Sequence, residues 1–546
     1  MGRRSKRIQT RVPPHVSVAR HLEEAVRLFG MGNLPGAEVA FRRVLGIAPS
    51  LPEANSNLGT VLLALCRPGE AVGFFRTALK GKSIPQSWKG LGDALGELRQ
   101  NQESTDCYRR ALTLDPNYAG AHSGLAARLV EAEELPLAVS HLRKAIALQP
   151  SNLDERCNLA AVLMRMDRLE EARETLSRVL EEDPGHRAAL FNLGLCHRDL
   201  GELEQAKEAL RLSTQGARPF PEAEVALAHT CLLAGEFTEG WAGYEARRNH
   251  PSFDIARRSF PGTEWDGSPL DGRTILVYSE QGFGDLFQFS RFVSMLSGSA
   301  GRVLLEAPPQ AARLLQSLNG VDEVVSRGDR PPHDIHVPLL SLPHLLGISE
   351  EELARTAVPY LGVREDAMGE EMKAVLEGLD PGPRIGIVWA GEPTHPNDRN
   401  RSASFGDLAP LAEVDGLQVV SLQFGKAAEQ AAAHPLGSGV LDLAPFLGDF
   451  HDTAAALSRL DLVVTVDTAV AHLAGALGVP VNILLPHAPE WRWMVEREDT
   501  PWYPTARLFR QGTPGDWRDP IQRIRGFLED ALKSPSFPER PSVLRP

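Results

Sequence analysis

The chain has 546 residues, too many for one ordinary core, which sets an expectation of two to four domains. Its net charge of −13, from 71 acidic against 58 basic residues, argues against a nucleic-acid binder, because a phosphate backbone demands a basic face. Any phosphate-bearing substrate must therefore meet a local basic cluster.

The opening "MGRRSKRIQTRVPP" is basic with no apolar run behind it. It reads as a disordered arm over residues 1–17, neither a signal peptide nor a membrane span. The five cysteines, Cys66, Cys107, Cys157, Cys196 and Cys231, all lie in the first half without C-x-x-C or metal spacing. They read as reduced, buried thiols of a cytoplasmic protein with no metal site.

Beyond the arm the sequence repeats itself. Ala37-x3-Phe41-x2-Val44-x4-Pro49 aligns with Ala71-x3-Phe75-x2-Ala78, and the series runs on through Ser104-x3-Tyr108, Ala138-x3-Leu142, Ala172-x3-Leu176 and Ala206-x3-Leu210. The step is 34 residues, with a single step of 33. Ahead of each stands a small residue beside a leucine, as in Leu58-Gly59, Leu91-Gly92, Leu125-Ala126, Leu159-Ala160 and Leu193-Gly194. Small residues let two helices approach, the large apolar residue fills the neighbouring groove, and proline ends the second helix. This pattern resembles the tetratricopeptide repeat family over residues 18–250, which implies an α-solenoid with a concave surface for a peptide or protein. The last unit carries Trp241 and Tyr244 near second-helix positions and is expected to cap the array by docking on the domain that comes next.

Residues 251–272, rich in Pro, Gly and Asp, read as a linker. The periodicity then changes. Short β-rich runs at 274–278, 302–306, 321–325 and 334–337 alternate with helical segments at 285–296 and 309–318. The pattern restarts after "LEGLDPGPR" with runs at 385–389, 417–422, 462–466 and 481–485. Strand–helix alternation predicts two doubly wound α/β domains, 273–380 and 381–533, with ligands at the carboxyl ends of the strands. The tail 534–546 reads as disordered.

Four segments on the expected loops carry chemistry. "SEQGFGDLFQFSR" offers Gly282 and Gly284 but neither the third glycine of a dinucleotide fingerprint nor the lysine of a P-loop. Asp285 there is either a helix N-cap or a general base at a cleft mouth. "DLVVTVDTAVAHLAGALGVPV" places Asp467, Thr468 and Ala469 at a strand-to-helix turn, an anion site by virtue of the helix N-terminus. His472, one turn on, either reaches the same ligand or is a packed histidine.

"WAGEPTHPNDRNRSAS" begins with Trp389 and carries Arg399 and Arg401, a basic pair in an acidic chain, with His395 and Asn397 as further donors. A solvated surface loop is the alternative. In "PHAPEWRWMVEREDTPWYP", Trp491 and Trp493 are two apart and cannot both face the core from a helix. One of them, with Arg492 beside it, is a candidate to stack on a sugar or base, and interdomain packing is the other reading. Lys426 comes after the strand at 417–422.

Together Glu280–Asp285, Trp389–Asp398 with Arg401 and Ser402, Val466–His472 and the "EWRWM…PWYP" run resemble glycosyltransferase family 9, the heptosyltransferase-like enzymes, over residues 270–530. The resemblance implies a two-Rossmann GT-B fold, a nucleoside-diphosphate sugar as co-substrate, no separate cofactor or metal, and inversion at the anomeric carbon. It makes Asp285, flanked by Gln281, Gly282 and Gly284, the acceptor-activating base on the first domain. It gives donor binding to the Asp467–His472 segment, with Arg399, Arg401 and Lys426 compensating the leaving diphosphate. The fused repeats point to a polypeptide acceptor and away from a lipid-linked one. Two alternatives stand beside this reading: a repeat scaffold with a vestigial GT-B half, and a sugar-nucleotide epimerase.

Overall fold

In the computed structural model, which describes residues 14–249, 260–364, 368–395, 397–488, 490–533, 537 and 544–545, the chain divides into two compact units, Met1–Cys196 and His197–Pro546. The first unit is built from helical hairpins. Pro14–Gly30 pairs with Leu34–Ile47, Pro52–Ala64 with Pro68–Gly81, Pro85–Glu97 with Asn101–Leu114, Ala119–Glu131 with Leu135–Leu148, and Leu153–Arg165 with Leu169–Glu182. Residues 14–17, expected in a disordered arm, already belong to the first helix. Residues 1–13 lie outside the described residues.

Each hairpin turns through one left-handed residue at a constant phase: Gly32, Cys66, Arg99, Glu133 and Asp167, with φ between 57° and 74°. Four of these are not glycine, at a cost of roughly 1–2 kcal/mol each. The hairpin's own packing offsets that cost. Phe75 is fully buried, and a Cβ added at Gly59 or Gly90 would lie 2.8 Å or 2.4 Å from its ring. Tyr108 repeats the arrangement one unit later against Gly92 and Gly124, and its hydroxyl donates to Asp93 at 2.7 Å. In an exposed helix Gly→Ala would stabilise by about 0.5–1 kcal/mol. Gly90→Ala must instead displace Phe75, so a net loss of about 1–3 kcal/mol is expected in denaturant or thermal unfolding. Phe75→Leu in the same chain should recover part of it.

The second unit begins with helical residues and then α/β layers. Its hairpin Pro221–Leu233/Phe237–Tyr244 continues into a 3-10 turn, Glu245–Asn249. This hairpin, expected at the end of the 18–250 array, clusters with the α/β half. The physical reason is a shared core: Phe237, Trp241 and Tyr244 are buried in one apolar cluster with Ile275, Phe289, Trp491 and Trp502.

The first sheet is parallel, in the order β1 (Thr263–Glu264), β5 (Ile335–Pro338), β2 (Thr274–Tyr278), β3 (Arg302–Ala307), β4 (Glu323–Ser326). Past β6 (Val363–Arg364) the chain forms a second parallel sheet. Its order is β12 (Ala506–Arg510), β11 (Val481–Leu485), β10 (Leu462–Val466), β7 (Arg384–Val388), β8 (Gln418–Ser421), β9 (Val440–Asp442). The helix Arg518–Lys533 covers one face of this sheet through Ile521, Ile524 and Leu528.

Five strands, β1, β6, β9, β12 and β13, escape the sequence pattern. β1 lies inside the expected linker, and β1, β9 and β12 are short or edge strands whose burial does not form a continuous apolar run. The tail, expected to be disordered, contributes β13 (Leu544–Arg545), which pairs in parallel with β6. The helix expected over 285–296 ends at Ser290 and resumes as a 3-10 turn, Val293–Leu296. No helix among the described residues is long and apolar enough to cross a membrane.

Both sheets have a topological switch point. In the first, the chain goes from β2 to β3 and β4 and then returns to β5 on the other side of β2. In the second it goes from β7 to β8 and β9 and returns to β10 on the other side of β7. Crevices at such points are where open α/β sheets bind ligands. The loops leaving β2, β7 and β10 carry Asp285, Arg401 and Asp467.

Candidate active site between the two sheets

The loop after β2 enters the helix Phe283–Ser290 with Gly282 as its N-cap. Asp285 is therefore inside the first turn, and the reading of Asp285 as the cap residue does not hold. Its carboxylate is ion-paired with the Arg492 guanidinium, which comes from the second α/β layer. Gly284 permits this approach: a Cβ there would lie 3.0 Å from His472 Cδ2 and 3.9 Å from Ala469 Cα. The space that glycine leaves is thus filled by His472.

Arg492 is the hub of the crevice. It pairs with Asp285 and with Glu490, donates from Nε to Gln288 Oε1 at 2.9 Å, and lies over the Trp491 ring at 4.2 Å. Burial alone would pull the guanidinium pKa down, and Glu490 and Asp285 reverse this and raise it. Burial pushes Glu490 up to about 7 against the opposing pull of Arg492.

On the second layer, Asp467 and Thr468 leave β10 and the helix Ala469–Ala476 begins with Thr468 as its N-cap. The Thr468 hydroxyl lies 3.2 Å from that of Thr465 and makes no cap bond, so the first-turn N–H groups face the strand end without a side-chain acceptor from the cap. Burial raises the Asp467 carboxyl against Arg492 and Arg401. His472 is 4 % exposed, stacks on Trp493 at 5.1 Å, and shares a 3.0 Å hydrogen bond between Nδ1 and the Tyr503 hydroxyl. Burial, with Arg492 and Arg401 nearby, holds its pKa well below the usual range, so it is a neutral imidazole packed behind the site.

The loop after β7 folds back on itself. Gly391 N–H donates to Ser402 Oγ at 2.9 Å, Ser402 Oγ donates to Asp398 at 2.8 Å, and a Cβ on Gly391 would meet Arg401 Nη2 at 2.8 Å. Arg401 is 15 % exposed, and its charge acts on His395, Asp467 and His472. Burial, then Arg401, lowers the His395 imidazole, with Asp467 opposing. Asn397 accepts from Asn400 at 2.8 Å within the loop. Arg399 and Lys426 are exposed and lie outside the buried cluster around Arg492.

Two aromatic assignments are corrected. Trp389 is fully buried against Phe405, with its backbone N–H donating to Gln423 Oε1 at 3.0 Å, so it is a core residue and cannot stack on a ligand. Trp491 and Trp493 are both buried, which a regular helix would not allow. A three-residue 3-10 turn ended by Met494 at φ 55° does allow it. Trp491 is wedged against Trp241 at 5.6 Å and His229 at 6.0 Å, so it packs the hairpin onto the α/β layers.

Glu490, Gln288, Tyr503 and Glu280 lie in the quoted motifs but had no role assigned from sequence, and Arg247 lies outside them. Glu490 stands two residues before Arg492, a spacing that signals a local acid–base pair. The others become neighbours only through the fold.

Comparison with known proteins agrees with this architecture. Residues 89–152 and 157–220, and again 129–183, match the tetratricopeptide repeat. Residues 370–492 match glycosyltransferase family 9 (heptosyltransferase). The chain thus carries tetratricopeptide repeats and a glycosyltransferase family 9 domain. That match includes Arg401, Asp467, His472 and Arg492 but begins after Asp285, and so is narrower than the 270–530 resemblance.

The chain is similar to protein FlbA of Caulobacter vibrioides, with 28 % identity over 331 residues, 56 % of this chain and 54 % of that protein. It spans about half the length of this curated relative. Among solved structures it is similar to a tetratricopeptide repeat protein from Parabacteroides merdae (15 % identity, TM-score 0.38, 44 % of this chain and 96 % of that one). It is also similar to MamA of Desulfovibrio magneticus (19 % identity, TM-score 0.29, 31 % and 96 %).

The Glu490 carboxyl supplies a pH test. Its pKa, normally near 4.5, stands at about 7 in the folded chain. The folded state therefore holds the proton more tightly than the unfolded one, and stability is full below the usual value and falls as pH rises through 7. Melting temperatures measured from pH 5 to 8 should fall more in the wild type than in Glu490→Gln. Parallel curves would show that Glu490 is not the titrating group.

Proposed function

We propose that this chain is an inverting glycosyltransferase that takes its sugar from a nucleoside-diphosphate donor without a required metal. The observation that supports it most is the placement of Asp285 and the Thr468–Ala469 helix start on opposing layers, which approach closely at Gly284, with Arg492 paired to Asp285. The helix N-terminus and Arg401 receive the donor diphosphate, as oriented N–H groups and a guanidinium suit an anion. The sugar's anomeric carbon then lies toward Asp285.

Asp285 takes the proton of an acceptor hydroxyl as that oxygen forms its bond to the anomeric carbon. The carbon–phosphate oxygen bond breaks on the opposite face, and the nucleoside diphosphate leaves with the electron pair. Arg401 and the helix N–H groups stabilise the charge that develops on it. Arg492 orients the Asp285 carboxylate and, as the diphosphate arrives, is free to share its positive charge with it. The repeats present the acceptor, a polypeptide, to this crevice, and the compartment is the cytoplasm.

Removing the base should cost transfer and spare binding. Asp285→Asn is expected to lower turnover by about 10²–10⁴-fold, with nucleoside-diphosphate affinity unchanged in calorimetry. Arg401→Ala should weaken that affinity by roughly tenfold, about 1.4 kcal/mol. Wild-type turnover in Asp285→Asn would remove the base role. A wild type whose melting temperature responds to no nucleotide sugar would favour the inactive scaffold.

A further inference from the structure

The seventh repeat unit, Gly240-x3-Tyr244-x2-Arg247, keeps the phase of the array but changes its chemistry. In the six preceding units the first of these last two positions holds a large ring or leucine, from Phe41 to Leu210. The second holds a small residue, from Val44 to Ser213. Those residues serve the hairpin's own core. Tyr108 already places a phenol at the first of these positions, turned to Asp93 of its own hairpin, whereas here the phenol of Tyr244 and the guanidinium of Arg247 both reach the loop after β2.

Arg247 Nη2 donates to both oxygens of Glu280, at 3.0 and 3.1 Å, and to Ser341 Oγ at 2.9 Å, while Nη1 donates to Glu245 at 2.7 Å. Glu280 is fully buried and also accepts from the Leu340 N–H at 2.9 Å. The neighbouring Gln281 is held as well: its Nε2 donates to the Tyr244 hydroxyl at 3.1 Å. Burial, with the negative charge of Asp285 nearby, pushes the Tyr244 phenol up to about 12. Tyr244 therefore stays protonated at neutral pH.

We infer that the terminal repeat is a working part of the transfer site: Tyr244 and Arg247 are positioning residues that fix Gln281 and Glu280, and through them the helix start that aims Asp285. This rests on the glycosyltransferase reading above. A buried guanidinium that divides its two terminal nitrogens between Glu280 and Glu245 restrains the loop that carries Glu280. The consequence is that the repeats do more than recruit an acceptor, since their last unit sets the geometry of the base.

The test uses the full chain. A panel of UDP-, GDP-, ADP- and dTDP-sugars is screened with the wild type, and release of nucleoside diphosphate is followed for those turned over. Tyr244→Phe, which removes only the hydroxyl, should lower turnover about tenfold, while the Kd for the matching nucleoside diphosphate and the melting temperature stay at wild-type values. Gln281→Leu should do the same, and the double variant should be no slower than the slower single one, because both remove one contact. Wild-type turnover in Tyr244→Phe, or losses that multiply in the double variant, would overturn the inference while leaving the transferase reading intact. A wild type that binds and turns over none of the donors would overturn both.

Discussion

The guanidinium of Arg492 is buried between two α/β layers, where leaving water costs several kcal/mol unless its donors find acceptors. It finds them in Asp285 and Gln288 on the first layer and Glu490 on the second. Three further features depend on that one group. The helix start at Asp285 is brought against the helix start at Ala469, Trp491 is held beneath the guanidinium, and the guanidinium's positive charge opposes the upward push that burial puts on the Glu490 pKa. A crevice so arranged has carboxylates on both walls and a shared positive centre. That centre is what a diphosphate would compete for.

The repeats and the α/β layers meet chemically in the hairpin 221–244, which belongs to one by its sequence phase and to the other by its packing. Repeat arrays need an end unit that no longer exposes an apolar face. In this chain the end unit satisfies that need with Trp241 and Tyr244 packed on Trp491 and Trp502. Arg247 then adds a buried ion pair to Glu280. A solenoid cap and a support for the loop after β2 are made from the same residues.

Much of this was legible in the sequence because it is periodic or fully buried. The 34-residue phase places the hairpins, and β10 and β11, apolar but for Thr465 and Asn482 and buried along their whole length, were read with their observed ends. Edge strands β9 and β12 lack that signal, and β13 pairs with a strand 181 residues earlier, which no local pattern reports. Within the site, the loops carrying Asp285, Arg401 and Asp467 were visible as strand-to-helix turns. The side-chain roles were less so. Trp389 opens a segment expected to bind substrate, yet it packs inward on Phe405, and of the two readings of His472 the packed one holds, since Trp493 and Tyr503 enclose it. Facing direction depends on partners distant in the chain.

On the proposed function, a nucleoside diphosphate binds at the helix start Thr468–Ala469 with Arg401, across from Asp285. A crystal structure of the full chain soaked with a nucleoside diphosphate tests it most directly. The account predicts the diphosphate over the carboxyl ends of β7 and β10, within hydrogen-bond reach of the Ala469 and Val470 N–H groups and of Arg401. A nucleotide bound instead on the Gly282–Gly284 loop, with that helix start vacant, would contradict it.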